Sequence, residues 1–433
     1  MKKILKLIYK YTILGLMPLY LLPALLTAFA VRASAPPKKE HPRLVCGYTP
    51  VINYSYWARA MREAGFVSET YTTAFYESIN KREDWDILID EHYLFCPRFL
   101  KPYLAFLESL WKYDVFITSC NGYFLGLTPL WRFEAFLLRI AGKKTIVFPY
   151  GSDSFVYNRI LSQSLAHCLL ISYPEHARRQ KQIGSRLDYW VKNADCFIPG
   201  FLGANGFGRW DLIMTSVLQI DLRQWKPSQK QSNADGYNKP VYIAHAPNHR
   251  GFKGTEFIID AVEQLKEEGL QIELLLLEKL QNHQVQTIFE QEADILVEQL
   301  IYTGHGLNAL EGLASGLPVI SNLEDENITL PFRRWSFMNE CPLVSSCPET
   351  IKDTLRTLVT NPDLRAQIGK AGREYTEKYH SYEAAQYMFG SIIDKIWHGK
   401  DIDLINLYHP LKGAYPRSRP VISHPLIHNK LPA

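Results

Sequence analysis

From Arg43 onward the chain repeats one alternation: a short apolar run, a loop of glycine, proline or polar residues, then a helical pattern. RLVCGY, VSETYTT, DWDILID, YDVFITSC and KKTIVFPYGSD are the first runs, with FLKPYLAFLESLWK and LTPLWRFEAFLLRIAG as helical patterns among them. Strands that alternate with helices predict a parallel sheet covered on both faces. A second series follows the polar stretch QWKPSQKQSNADGYNKP and comprises PVYIAHAP, QIELLLLE, ADILVEQL and LPVISN. Between its first two strands lies TEFIIDAVEQLKEEG. There Phe257, Ile258, Ala261, Val262 and Leu265 share one helical face, and Gly269 closes the helix. The fold class is α/β with two domains in series. The expected boundaries are a hydrophobic segment over 1–34, a first domain over 35–228 and a second over 229–384. A C-terminal helix crossing back to the first domain, with an irregular tail, fills 385–433.

A length of 433 residues fits two cores rather than one. The charged fraction of 21% beside 47% hydrophobic excludes bulk disorder, and a net charge of +4 is too weak for its size to point to nucleic acid. Cys46, Cys96, Cys120, Cys168, Cys196, Cys341 and Cys347 form no CxxC pair. They read as reduced core residues in a reducing compartment, not as zinc ligands, so the globular part is expected in the cytoplasm.

The first stretch differs. Lys2, Lys3, Lys6 and Lys10 precede an uncharged run from Tyr11 to Val31, about as long as a membrane span. Membrane association through residues 1–31 is expected in one of three modes. These are a cleaved signal, a spanning anchor, or a re-entrant or interfacial helix bent near Pro18 and Pro23.

IYTGHGLNALEGLASGLPVI, residues 301–320, places Gly304, His305 and Gly306 ahead of an apolar helix and Glu311 inside it. A helix start has unpaired N–H groups and a positive dipole, so it holds anions, and glycines let a ligand approach the backbone. Glu311 is placed to hold hydroxyl groups. The alternative is a strand–turn–helix junction whose glycines serve only the turn.

With these motifs, residues 43–397 resemble a GT-B fold glycosyltransferase of the "glycosyl transferases group 1" (family four) type, most strongly over 241–322. The resemblance implies two Rossmann-like domains facing a cleft and transfer of a sugar from a nucleotide-sugar to an acceptor hydroxyl, with retention. In AHAPNHRGFKGTE, Lys253-Gly254 matches the family's Lys-Gly, which implies that Lys253, with Arg250, faces the donor diphosphate. His245 and His249 form HxxxH, but Pro247 and the strand-to-loop setting argue against a metal site. In the 301–320 stretch the family's second acid is present as Glu311, implying a grip on the ribose. Gly304, His305, Gly306 and Leu307 are implied to meet the donor. The family's first acid is replaced by Thr303, with Glu298 a strand-end substitute or a solvated acid. In FPYGSD, Tyr150 takes the place of the family's His, followed by Gly151, Ser152 and Asp153. Asp153 is either a catalytic or positioning acid or a helix N-cap. Asn53 and Tyr54 are candidate acceptor or sugar contacts, although YSYWARAM also reads as core.

GFLGANGFGRWD, with Arg209, reads as a turn near the cleft. No carboxylate pair of the kind hydrolases use is evident. The leaving diphosphate is therefore expected to take the acceptor proton itself, while the protein supplies cations and helix-start N–H groups. No metal or other cofactor is called for, and Asp401-Ile402-Asp403 reads as a solvated turn. The partners expected are a nucleotide-sugar and a glycan or lipid-linked acceptor in polysaccharide or glycolipid synthesis. Two rivals remain: a nucleotide-sugar epimerase, and a non-catalytic membrane-tethered partner that only binds nucleotide-sugar or glycan.

Overall fold

The computed structural model describes residues 2–35, 39–76, 80–228, 230 and 233–432. The first sheet contains β1 (Leu44–Tyr48), β2 (Ser68–Thr72), β3 (Ile87–Leu88), β4 (Val115–Thr118), β5 (Lys144–Val147) and β6 (Cys196–Phe197). Its order is β3-β2-β1-β4-β5-β6, and every pairing is parallel. The second sheet contains β7 (Val241–His245), β8 (Ile272–Leu276), β9 (Ile295–Gln299), β10 (Val319–Ser321) and β11 (Val344–Ser345). Its order is β11-β10-β9-β7-β8, again all parallel. The central strands β4 and β9 are buried along their whole length, as expected for strands covered on both faces. The two strand–helix series expected from the alternation form these two parallel sheets.

The helix Tyr382–Ile396 packs on Asn53–Glu63 of the first domain. Trp57 meets Phe389 with ring centroids 5.3 Å apart, and Gln386 Nε2 donates to the Ala60 carbonyl at 2.9 Å. Gly269, at φ +94°, ends the Thr255–Glu267 helix in the left-handed conformation that glycine adopts most readily.

Three expectations are corrected. DWDILID yields only the two-residue β3, because Asp86 turns to accept from the Thr70 N–H (2.8 Å) and hydroxyl (3.0 Å), and the chain becomes helical at Ile89. The helix expected over 127–142 is regular only from Glu134 to Ile140. Buried Glu134 is drawn inward to the N–H groups of Tyr123 and Gly126, which fixes irregular turns ahead of it. The N-terminal segment forms one helix, Lys2–Ala33, running through Pro18 and Pro23. Ala24, Ala28 and Val31 are buried in the first domain with Phe106 and Leu137. Among the described residues no helix is long and apolar enough to cross a membrane. Part of the 35–42 linker lies outside the described residues.

Candidate functional site

The loops after β1, β5, β6, β7 and β9 converge from both sheets on one cleft of about 680 Å³. All leave the carboxyl ends of their strands, where open α/β sheets bind ligands. A neighbouring hollow of about 450 Å³ shares Ile52 and Asn80 with it and is walled by Tyr56 and Asn282. No carboxylate is among the described residues lining the cleft.

The second domain's wall is centred on the start of the Leu307–Ala314 helix. Gly306 is its extended N-cap, and no side chain caps it, so its first N–H groups are left for a ligand or water. Gly304 stands at φ +135°, and a Cβ there would lie 3.2 Å from the Phe201 ring. Its carbonyl accepts from Gln299 Nε2 (3.0 Å) and Ser321 Oγ (2.6 Å), which pins the turn. Lys253 reaches the same place from the short Arg250–Lys253 helix. Its ammonium is bonded to the Glu298 carboxylate and to Gln299 Oε1, the latter at 2.9 Å. Glu298 is fully buried, stands 3.1 Å from Ser321 Oγ, and lies directly beneath Gly306. Around this turn three buried polar atoms have no partner: Tyr302 Oη, His305 Nε2 and Asn308 Nδ2. Burial holds the His305 imidazole below its usual range. Glu311 is buried one turn inside the helix. Burial pushes its carboxyl up to about 7, against the pull of Asn282 Nδ2 at 3.3 Å.

The first domain's wall is more apolar. Phe148, Phe155 and Phe201 line it, with Asn53, Tyr150, Gly151 and Ser152. Asp153 is buried behind the loop and accepts from the N–H groups of Cys120 (2.9 Å), Tyr150 (3.0 Å) and Gly151 (3.1 Å). Burial pushes its carboxyl up to about 6, and those N–H bonds oppose the rise. Gly151 takes φ +134° at this turn. The Tyr150 hydroxyl accepts from Asn121 Nδ2 at 3.0 Å. Asn53 Oδ1 accepts from the Gln219 N–H (2.7 Å), which leaves its buried Nδ2 unpartnered.

The structure therefore brings Lys253, Gly306, Leu307, His305, Tyr150, Gly151 and Asn53 to the cleft, with Glu311 at the adjoining hollow through Asn282. Other expected residues lie elsewhere. Arg250 is drawn to Glu256 (2.8 Å) and Glu278 (3.1 Å) and does not line the cleft. Thr303 is buried and donates to Asn322 Oδ1 at 2.9 Å, tying the turn to the end of β10. Asp153 is not a helix N-cap, since the next α-helix starts at Gln163 with Ser162 as its cap. Tyr54 is core, between Trp57 and Phe148. Arg209 clamps the carbonyls of Val191 (2.8 Å) and Ala194 (3.0 Å). His245 is buried between the Val297 carbonyl and the Thr255 hydroxyl, away from the rim position of His249. The sequence reading missed Gln299, Asn282 and Phe201. Gln299 follows Glu298 at a strand end and so had a local signal, whereas the other two come from remote segments.

No protein-family model matches the chain, and no curated protein matches it. Among solved structures it is similar to the S. aureus MnaA–UDP co-structure, at 12% identity and TM-score 0.44 over 81% of this chain and 96% of that one. It is also similar to the wall teichoic acid polymerase TagF with CDPG, at 12% identity and TM-score 0.40 over 90% and 98%. A UDP-glucosyltransferase from Polygonum tinctorium aligns at 12% identity and TM-score 0.39 over 85% and 100%.

Proposed function

We propose that the cleft binds a nucleotide-activated sugar and that the chain transfers the sugar to an acceptor hydroxyl. The observation that carries this reading is the uncapped helix start at Gly306, flanked by Lys253 and ringed by the unpartnered Tyr302, His305 and Asn308 atoms. A diphosphate there meets N–H groups, the positive end of a helix and an ammonium. Glu311 and Asn282 then hold the ribose, with the adjoining hollow beside them. As the glycosidic bond breaks, charge grows on the leaving diphosphate, and these fixed groups stabilise it. The lack of a carboxylate in the described lining favours a same-face reaction with retention, in which the leaving phosphate oxygen takes the acceptor proton. The reaction as read draws on no metal. The apolar first wall, with Tyr150, Asn53 and the Asp153-braced Gly151 loop, receives the sugar and the acceptor, a glycan or lipid-linked saccharide. The seven free cysteines favour a cytoplasmic setting for both domains.

Two observations favour a binding partner without turnover: Lys253 is already paired with Glu298, and Thr303 is tied to Asn322. The test is turnover of labelled nucleotide-sugars by the full chain with membrane lipid and polysaccharide extracts. The proposal expects label in an acceptor and release of nucleoside diphosphate. Epimerised sugar without acceptor labelling would overturn it in favour of an epimerase. Binding with no chemistry would overturn it in favour of the partner reading.

A further inference from the structure

The N-terminal helix is amphipathic in an inverted sense. Its small residues Ala24 and Ala28 face the domain, while Leu19, Leu22, Leu26 and Phe29, spaced three and four apart, point away from it and are 59–72% exposed. Their side of the helix carries no charge from Tyr11 to Val31. The helix is held by the Tyr20–Tyr103 ring pair, at 4.5 Å between centroids, so its outward face is set rigidly on the domain. The Lys101–Lys112 helix beneath it adds exposed Leu104 and Trp111. Lys2, Lys3, Lys6 and Lys10 fall in the first turns and Arg32 in the last, and no acidic residue precedes Glu40.

From this pattern we propose that the outward face of residues 11–31 docks on an anionic lipid surface, with the helix lying along the bilayer. Leucine and phenylalanine enter the acyl boundary to a depth of about 5–10 Å, and the basic sequence at the helix start favours an anionic surface. A partner protein with an acidic rim would leave the long uncharged middle unexplained; a bilayer matches both the middle and the basic start. The surface needs no nucleotide-sugar, so it stands or falls apart from the transferase reading.

The experiment floats the full chain with phosphatidylcholine vesicles and with vesicles that also carry phosphatidylglycerol. The anionic vesicles are expected to carry the protein up, with binding weakened by salt. Leu22→Glu/Leu26→Glu changes two exposed positions, so folding is retained, and it is expected to lower vesicle binding about tenfold or more. A protease-cleavable tag ahead of Met1 is expected to remain cleavable from outside the vesicles. No flotation, or equal flotation of the variant, overturns the proposal. A tag protected inside the vesicle overturns it in favour of a crossing helix. A dimer in solution that the variant dissociates, without vesicle binding, shows instead that the face meets a second copy.

Discussion

The two walls of the cleft share a strand–loop plan and use their acids in opposite ways. In the first domain, Asp153 turns back and fastens three N–H groups of its own loops. In the second, buried Glu298 lies beneath the Gly306 turn and holds the Lys253 ammonium that reaches the cleft. One wall is a braced surface of aromatic rings and amides; the other is a preset electrostatic site. On the proposed function, the difference assigns donor affinity to the second wall and the choice of what the donor reacts with to the first.

The largest effect should come from Lys253→Met. It removes the cation and leaves Glu298 buried and unpaired, which costs about 3–5 kcal/mol of stability. Adding Glu298→Gln is expected to restore most of that stability in urea titrations but not donor binding. Recovery of binding in the double variant would show that the ammonium does not face the diphosphate. Next, Asp153→Ala orphans three N–H groups and should cost about 3 kcal/mol. Donor affinity should change little while transfer falls; an equal loss of both would erase the distinction between the walls. Gly304→Ala forces a side chain into φ +135° against Phe201, a strain of about 1–3 kcal/mol. Calorimetry should register weaker donor binding.

Glu311 gives a pH test. With its carboxyl raised to about 7 by burial, it becomes a full acceptor for ribose hydroxyls only as pH rises through that value. Donor affinity should therefore climb across pH 7, and Glu311→Gln should flatten the profile. The sign for stability is opposite. The folded state holds this proton more tightly than the unfolded chain, whose carboxyl titrates near 4.5. Stability from this group is full below that value and is lost as pH rises to about 7. The smallest effect belongs to Arg250→Ala. Its charge lies against Glu256 and Glu278 on the surface, where solvent screens the pairs, so urea titrations should show stability nearly unmoved and calorimetry donor affinity unchanged.

How much of this was legible in the sequence follows from the range of each interaction. The alternation of strands and helices, the Gly-rich start of the 307–314 helix and Lys253-Gly254 are local patterns, and all stand in the structure. Arg250 was misplaced because Glu278, which captures it, is remote in sequence. Thr303 reads as a missing acid, yet its hydroxyl is tied to Asn322 across two strand ends, and Glu298 supplies the buried carboxylate beside that turn. Asn282 and Phe201 reach the site only through tertiary packing. The two-residue strands β3, β6 and β11 are too short to carry a period. The N-terminal segment was legible as uncharged and long, but only the burial of Ala24 and Ala28 shows which face remains outward.

The central claim is that the Gly306 helix start and Lys253 form a nucleotide-sugar site. The most direct measurement is calorimetric titration of the full chain with UDP-, GDP-, ADP- and CDP-sugars, beside Lys253→Met/Glu298→Gln. The account predicts binding of one nucleotide class and its loss in the double variant. Binding unchanged by the double variant, or no binding of any of the four, would contradict it.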